Sequence, residues 1–317
     1  MGEQESVTVG VLAMPRLYAL DVAIPVHMLG RLPAYRVLVC GDPRDAAPAG
    51  IAVTHTLRDA AEADILVVPG YGEPYLPVDD RHREVLRAAH ARGARIVGIC
   101  TGVFALADAG LLAGRTAAVH WHYADLLREA FPDVEVAGNR LLAVDGRILT
   151  SAGAAAGIDT CLYLIEADLG TVAADEAARE VVVPSARAAG EAQYSTAAPH
   201  SRRDLRATLA WADERLGEPL TVAALAEHGR MSRRTLIRHF TRETGLPPMR
   251  WVTLRRITAA RRLLESTDRT VEAIAAETGF GSPVNFRTIF RREVGVNPGA
   301  YRRLRGPDGE RAVEDPR

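Results

Sequence analysis

The sequence predicts an α/β domain with a doubly wound, mostly parallel sheet, followed by an all-α domain with two helix-turn-helix units. Three observations predict this architecture. In the first two thirds, short apolar runs alternate with helical patterns, which is typical of a parallel sheet covered on both faces. In the last third, one pattern occurs twice at an offset of 49 to 50 residues. Arginine is concentrated in that last third, and the chain contains no lysine.

Hydrophobic periodicity predicts the elements of the first domain, which we place at residues 6–183. The predicted strands are residues 7–12, 35–40, 65–69 and 95–99, and the predicted helices are about residues 20–29, 80–92, 101–109, 120–130 and 154–169. Small, polar and proline residues then predict a linker at 184–200, because such composition does not support a packed core. The basic helical domain follows at 201–305, and we expect residues 306–317 to be a disordered tail.

Charge is distributed unevenly between the two domains. Residues 1–200 carry a formal net charge of −9, whereas residues 201–305 carry +10. A solvated charged surface is an alternative explanation, but such a surface rarely separates charge by domain. The asymmetry favours nucleic-acid binding by the C-terminal domain.

The composition also bears on compartment and cofactors. The sequence contains three cysteines, Cys40, Cys100 and Cys161, and such a sparse, odd number suits a reducing compartment. No signal peptide and no apolar run of about 20 residues is found, which indicates a cytoplasmic protein without a membrane partner. No His, Cys and acidic residues have metal-ligand spacing, so we expect neither a metal nor a cofactor.

The repeat in the last third predicts the DNA-binding architecture. Thr221 and Ser232 of the first copy correspond to Thr270 and Ser282 of the second. Each copy is a short apolar helix, a turn and a longer helix that begins at a serine able to cap it. This is the pattern of a helix-turn-helix, whose second helix enters the major groove. A linking helix over residues 249–266, rising ~1.5 Å per residue, can separate the two reading helices by about one DNA turn (~34 Å).

Seven side chains of the two reading helices are predicted to contact double-stranded DNA: Arg233, Arg234, Arg238, Asn285, Arg287, Thr288 and Arg291. In the major groove, arginine pairs with guanine and asparagine with adenine. Phosphate contact is the alternative for each of them, since half or more of protein–DNA hydrogen bonds go to the backbone.

The two copies, the linking helix and the closing Pro298, Tyr301 and Arg302 together resemble the DNA-binding domain of the AraC/XylS family. The resemblance covers residues 203–304. It implies a bacterial transcription regulator, usually an activator.

A second candidate site lies in the first domain, at Gly98-Ile99-Cys100-Thr101-Gly102. A buried strand, a tight turn and a helix follow one another, and the spacing resembles the nucleophile elbow of hydrolases with cysteine in place of serine. A thiol beside a helix N-terminus is expected to have a lowered pKa. Asp21 and His120 are predicted at the same sheet edge, where they face the thiol or else serve as surface or capping residues. A small packed cysteine is the alternative for Cys100.

These residues, together with Ser151-Ala152-Gly153 and Gly157-Ile158-Asp159, resemble the ThiJ/PfpI superfamily and its GlxA-type regulator branch. The resemblance implies a flavodoxin-like, amidotransferase-like fold. It also implies that Cys100 is the elbow cysteine, Asp21 the acid beside it and His120 the pocket histidine. Branches that use a Cys-His pair often carry histidine where this chain has Thr101, which counts against peptidase chemistry. We assign Thr101 to the same pocket, which would bind a carbonyl or amide group.

The leading hypothesis is a sequence-specific transcription regulator, not an enzyme, and we expect a homodimer. A small metabolite, or dimerisation through the α/β domain, would control it. The alternative is a cysteine-dependent small-molecule enzyme, isonitrile hydratase-like or amidase-like, joined to a DNA-binding module. A third hypothesis is that the α/β domain is only a dimerisation scaffold with a vestigial pocket.

Overall fold

The computed structural model describes residues 6–183, 191, 193 and 205–306. Most of the predicted linker and nearly all of the predicted tail therefore lie outside the described residues. The contacts divide the chain into two units, Met1–Leu164 with Ala186–Gln193, and Ile165–Ser185 with Tyr194–Arg317. No helix in the described part of the chain has both the length and the apolar character that a membrane crossing requires.

The first unit is built on a six-stranded sheet with strand order β2-β1-β3-β4-β8-β7. Its strands are β1 (Val7–Leu12), β2 (Tyr35–Cys40), β3 (Ile65–Val68), β4 (Arg95–Ile99), β7 (Leu142–Asp145) and β8 (Ile148–Ser151). All neighbours are parallel except β7, which pairs antiparallel with β8. The short strands β5 (Thr116–Ala117) and β6 (Glu135–Val136) form a separate parallel pair.

Helices connect these strands and cover the sheet. They are α1 (Ala19–Gly30), α2 (Pro43–Ala46), α3 (Leu57–Glu62), α4 (Asp80–Arg92), α5 (Gly102–Asp108), α6 (Ala124–Ala130) and α7 (Ala156–Leu169), the last of which continues into the second unit. Two 3-10 helices, Ala47–Ala49 and Trp121–Tyr123, complete the connections. The central strands β3 and β4 are almost wholly buried, as expected for strands with helices on both faces.

The predicted fold class is confirmed, and each predicted strand and helix of this unit has a counterpart within a few residues. The hairpin β7–β8 was not predicted from the sequence. Its strands are only four residues long, and its turn is marked by Asp145-Gly146, with Gly146 at φ 61°. An Asp-Gly pair between apolar runs is the local signal for such a hairpin.

The second unit is helical. Its elements after α7 are α8 (Thr171–Glu180), α9 (Leu205–Asp213), α10 (Val222–His228), α11 (Arg233–Thr244), α12 (Pro248–Ser266), α13 (Val271–Glu277), α14 (Pro283–Val294) and α15 (Pro298–Arg305). Two separate cores pack around the helix-turn-helix pairs α10–α11 and α13–α14. The linking helix α12 contributes to both, with Trp251 and Val252 in the first core and Ile257, Ala260 and Leu264 in the second. This shared helix therefore fixes the distance between the two pairs.

Residues 165–183 belong to the helical unit, whereas the sequence predicts an α/β domain that ends at residue 183. The reason is packing against α12. The carboxylate of Glu265 accepts hydrogen bonds from the backbone N–H groups of Thr171 (3.0 Å) and Val172 (2.8 Å), and so caps the N-terminus of α8. Arg262 donates to Asp175 at 2.8 Å, and Arg261 pairs with Glu166.

Candidate functional site

The elbow of the α/β unit places Cys100 between β4 and α5. Its φ of 55° lies in the left-handed region, which typically costs a non-glycine residue about 1 to 3 kcal/mol. The Cys100 N–H donates to the Ser151 carbonyl at 2.9 Å, so β8 holds the turn in place. Strained backbone that its surroundings maintain is characteristic of functional sites.

Glycines allow the chain segments to approach the cysteine closely. A Cβ added at Gly153 would lie 2.2 Å from the Cys100 Cβ, and one at Gly70 would lie 2.4 Å from Asp21 Oδ2. A Cβ at Gly102 would lie 2.2 Å from the Val68 carbonyl oxygen. No larger residue fits at these three positions without movement of the segments around the thiol.

Asp21 lies at the base of this site and is only 3% exposed. Its Oδ1 accepts from the Ala154 N–H at 3.0 Å and its Oδ2 from the Gly70 N–H at 3.2 Å. Its carboxylate also accepts a hydrogen bond from the Cys100 thiol. Burial raises the pKa of Asp21, and these hydrogen bonds oppose that effect.

The Cys100 thiol is protonated at neutral pH. Burial, followed by the negative charge of Asp21, raises its pKa to about 12, although the Thr101 N–H and side chain partly stabilise the thiolate. The pKa lowering expected from the helix N-terminus is therefore wrong. Desolvation of a 7% exposed thiol beside a carboxylate outweighs the short helix dipole. The side chain is a hydrogen-bond donor to Asp21 rather than a prepared nucleophile.

Thr101 is fully buried, and its hydroxyl is occupied by the backbone of one residue. Thr101 Oγ1 accepts from the Tyr71 N–H at 2.7 Å and donates to the Tyr71 carbonyl at 2.7 Å. This side chain ties the β3 loop to the elbow, so a direct contact between its hydroxyl and a ligand has no support. Toward the cysteine, the backbone N–H and the side chain of Thr101 both favour the thiolate form.

His120 precedes the 3-10 helix Trp121–Tyr123 and caps it, with Nδ1 accepting from the His122 N–H at 3.3 Å. Burial, followed by the charge of His122, lowers the pKa of His120. The imidazole is thus neutral at pH 7, and the bond to Nδ1 assigns its proton to Nε2. Among the described residues, no hydrogen bond joins His120 to Cys100 or Asp21.

Two tyrosines that sequence reasoning missed connect His120 with the cysteine. The His120 ring lies 6.1 Å from that of Tyr123, and the Tyr123 hydroxyl is hydrogen-bonded to the Tyr18 hydroxyl. Burial, the bond to Tyr123 and the nearby Cys100 and Asp21 raise the pKa of Tyr18 to about 12. In the sequence, only the position of Tyr18 just before α1 could have indicated a role in the site. A partly exposed tyrosine is by itself common and indicates no function.

Gln193 is a third residue that the sequence did not indicate, because it lies inside the predicted linker. Its Nε2 donates to the carbonyls of Val119 and Arg140, both at 2.8 Å, and its Oε1 accepts from the Trp121 N–H at 2.9 Å. This part of the predicted linker is therefore attached to the α/β unit. The attachment lies on the residues that flank His120.

We expect Asp21→Asn to accelerate alkylation of Cys100 by iodoacetamide at least tenfold at pH 8, because loss of the carboxylate charge lowers the thiol pKa and one pKa unit is a tenfold change in thiolate. Peptide mass spectrometry would measure the rate at each cysteine. Asp108→Asn is the matched control, since Asp108 accepts from the Val78 N–H in the same unit but its charge does not act on Cys100. Equal Cys100 rates in the Asp21 variant and the control would contradict this electrostatic assignment.

The helical unit contains the candidate DNA interface. Ser232 Oγ accepts from the Thr235 N–H at 3.2 Å, and Ser282 Oγ accepts from the Asn285 N–H at 3.1 Å, so both reading helices are capped as predicted. Thr221 and Thr270 cap the preceding helices in the same way. The matching caps confirm that the sequence repeat is a structural repeat.

Each reading helix has one buried face and one exposed face. Leu236 and Phe240 of α11, and Phe286 and Phe290 of α14, are completely buried in the two cores. The seven predicted DNA contacts are all exposed: Arg233, Arg234, Arg238, Asn285, Arg287, Thr288 and Arg291. Arg287 pairs with Glu272 of α13, whereas no ion pair is found for Arg234 or Arg238 within the described range 205–306. The structure thus leaves these side chains accessible to a partner.

Several arginines of α12 have a different role. Arg255 makes two hydrogen bonds to the carboxylate of Asp213, at 2.7 and 3.0 Å. Arg256 donates to the carbonyls of Leu216 (2.9 Å) and Glu218 (2.7 Å). These guanidinium groups hold the helical unit together, so the high arginine content of residues 201–305 is only partly available for phosphate.

Comparisons with known proteins agree with both halves of the chain. Residues 14–167 match the DJ-1/PfpI family and residues 225–304 match a helix-turn-helix domain. The HTH-type transcriptional regulator GlxA of Rhizobium meliloti is 33% identical over 294 residues, which cover 88% of this chain and 89% of that protein. The chain belongs to the AraC-type transcriptional regulators with an N-terminal DJ-1/PfpI domain.

Two further relatives extend the comparison. The HTH-type transcriptional regulator CdhR of Pseudomonas aeruginosa is 32% identical over 76% of this chain and 73% of its own length. An isonitrile hydratase of Pseudomonas putida is 32% identical over 167 residues, covering 50% of this chain and 70% of the hydratase. A solved structure from Vibrio parahaemolyticus, with a TM-score of 0.50 and 23% identity, covers 56% of this chain and 100% of its own and shares the fold.

Proposed function

We propose that this regulator binds a two-part operator through α11 and α14, and that its α/β unit senses a small uncharged molecule. The observation that carries the proposal is the pair of capped reading helices with exposed, mainly basic faces. The linking helix α12 spans 19 residues, about 28 Å at ~1.5 Å per residue, which suits two adjacent turns of one DNA face. We further propose that the protein acts in the cytoplasm as a homodimer.

The sensing role is supported by the chemistry around Cys100. The His120 imidazole is neutral with its proton assigned to Nε2, so it can donate to a carbonyl or amide oxygen. The Tyr18 and Tyr123 hydroxyls are a second polar pair beside the thiol. Asp21 disfavours an anionic ligand because its buried carboxylate would repel it. A neutral carbonyl or amide compound is therefore the proposed effector class.

A route from effector to DNA is supported by Gln193. Its side chain bonds to backbone groups of residues 119, 121 and 140, and in the sequence it precedes the DNA-binding helices. A ligand that displaces the His120 segment would break these bonds and detach Gln193 from the α/β unit.

Genomic DNA selection with the full chain tests the proposed function. We expect one enriched motif of two short elements, with centres about one helical turn apart. Neutral amides and carbonyl compounds, added singly, should then change the affinity for that motif, and His120→Ala should abolish the change. His27→Ala, an exposed histidine of α1, is the control. Selection of no motif would overturn DNA recognition, and an equal effector response in both variants would overturn the assigned pocket.

A cysteine-dependent enzyme is the second candidate, favoured by the strained elbow and by the hydratase relative. The high thiol pKa and the lack of a described bond between His120 and Cys100 count against it. Turnover of an isonitrile by the wild-type protein, lost in Cys100→Ala, would support the enzyme. If no isonitrile is turned over, the enzyme hypothesis fails and the regulator hypothesis remains.

A further inference from the structure

The two reading helices expose three positions on one face, because residues at i, i+3 and i+4 of a helix are neighbours. On α11 these positions are Arg234, Ile237 and Arg238. The repeat offset of 50 residues matches them with Val284, Arg287 and Thr288 of α14. At the first two positions basic and apolar side chains have thus exchanged places between the two copies, and at the third an arginine corresponds to a threonine.

Val284 is the most unusual member of this set. It is 71% exposed, more than any other large apolar side chain described at residues 205–306, although Phe286 and Phe290 of the same helix are completely buried. Single exposed apolar residues are common and by themselves need no explanation. Leu304 of α15, which is 68% exposed, is such a residue.

The place of Val284 in the helix separates it from such cases. It is the second residue of α14, in the turn capped by Ser282, and the N-terminal residues of reading helices contact base edges. Arg287, one turn later on the same face, is held by Glu272. An apolar side chain in the major groove matches the C5 methyl group of thymine, which is the apolar group on that edge.

We propose that Val284 recognises a thymine by contact with its C5 methyl group, in the half-site that α14 reads. This inference rests on the proposed DNA-binding function and names one nucleobase that the protein recognises. The matched position on α11 is Arg234, which suits guanine instead. The two half-sites consequently differ in sequence. The operator is therefore not a direct repeat, although the two helix-turn-helix pairs of the protein are repeats of each other.

Replacement of each thymine of the selected operator by deoxyuridine tests the proposal, because it removes only the methyl group. We expect wild type to lose affinity roughly fourfold at one thymine in one half-site, since one buried methyl-sized group contributes about that factor. Val284→Ala should bind the thymine and uridine operators equally. It should retain its fold, because the side chain is exposed and alanine favours helix.

Leu304→Ala is the matched control, an equally exposed apolar residue outside the reading helices, and it should keep the wild-type discrimination. Discrimination that persists in Val284→Ala, or its absence at every thymine in wild type, would overturn the proposal. Failure to select any operator would instead overturn the proposed function, so the two failures are distinguishable.

Discussion

Replacing Arg234 and Arg238 together with alanine is expected to weaken binding to the selected operator roughly 30-fold or more. Each well-formed arginine–guanine pair discriminates by about 1 to 3 kcal/mol, and the two side chains lie on the exposed face of α11. Alanine is a strong helix former, and neither side chain is part of a core, so the fold should remain. Fluorescence anisotropy with labelled operator and with random DNA would measure the effect.

The comparison with random DNA separates base contact from phosphate contact. If Arg234 and Arg238 read bases, operator affinity falls more than random-DNA affinity; if they contact only phosphates, both fall together and the salt dependence weakens. Arg58→Ala with Arg128→Ala is the control, because it removes the same charge from exposed positions of the α/β unit. Wild-type operator binding by the Arg234/Arg238 variant would contradict the proposed interface.

Gly102→Ala is expected to destabilise the α/β unit by about 3 kcal/mol or more. The added Cβ would lie 2.2 Å from the Val68 carbonyl oxygen and 2.8 Å from that of Pro69. Both are backbone atoms, so relief requires movement of the β3 end or of the elbow. Thermal unfolding of the full chain should show a midpoint lower by roughly 6 to 12 °C.

Gly30→Ala is the control for this prediction. It lies at the end of α1 in the same unit, and its added Cβ would meet Val37 at an ordinary 3.7 Å. Its midpoint should stay within about 2 °C of wild type. A similar midpoint for Gly102→Ala would mean that the elbow tolerates a side chain and is not as closely packed as the distances indicate.

Much of the fold could be predicted from sequence because its signals are local. Strands β1, β2 and β4 are mainly apolar runs with bounds that match the prediction, and most of their residues are buried. The serines before the two reading helices predict the N-caps that the structure contains. The hairpin β7–β8 and the helix α8 were missed, since four-residue strands and an alanine-rich decapeptide carry little periodicity.

The candidate pocket was predicted only in part. The sequence located Cys100 and Asp21, and the structure brings them into a hydrogen bond. The sequence did not locate Tyr18, Tyr123 or Gln193. These residues adjoin the site through contacts between positions 53 to 105 residues apart in the chain, which no local pattern encodes. His120 makes no described hydrogen bond to the cysteine; its ring lies beside Tyr123, which is bonded to Tyr18.

By itself, the sequence determined the order of the main elements, the repeated helix-turn-helix pair, the separation of charge and the place of the cysteine in a turn between a strand and a helix. Local periodicity, capping residues and composition are sufficient for these features. Only the tertiary structure decided the state of the thiol and the roles of individual polar side chains. A thiol pKa depends on desolvation and on neighbouring charge, which arise when distant segments pack around it, as Asp21 does at Cys100. The same packing assigns Arg255 and Arg256 to internal bonds and leaves Val284 exposed on the face proposed to meet DNA.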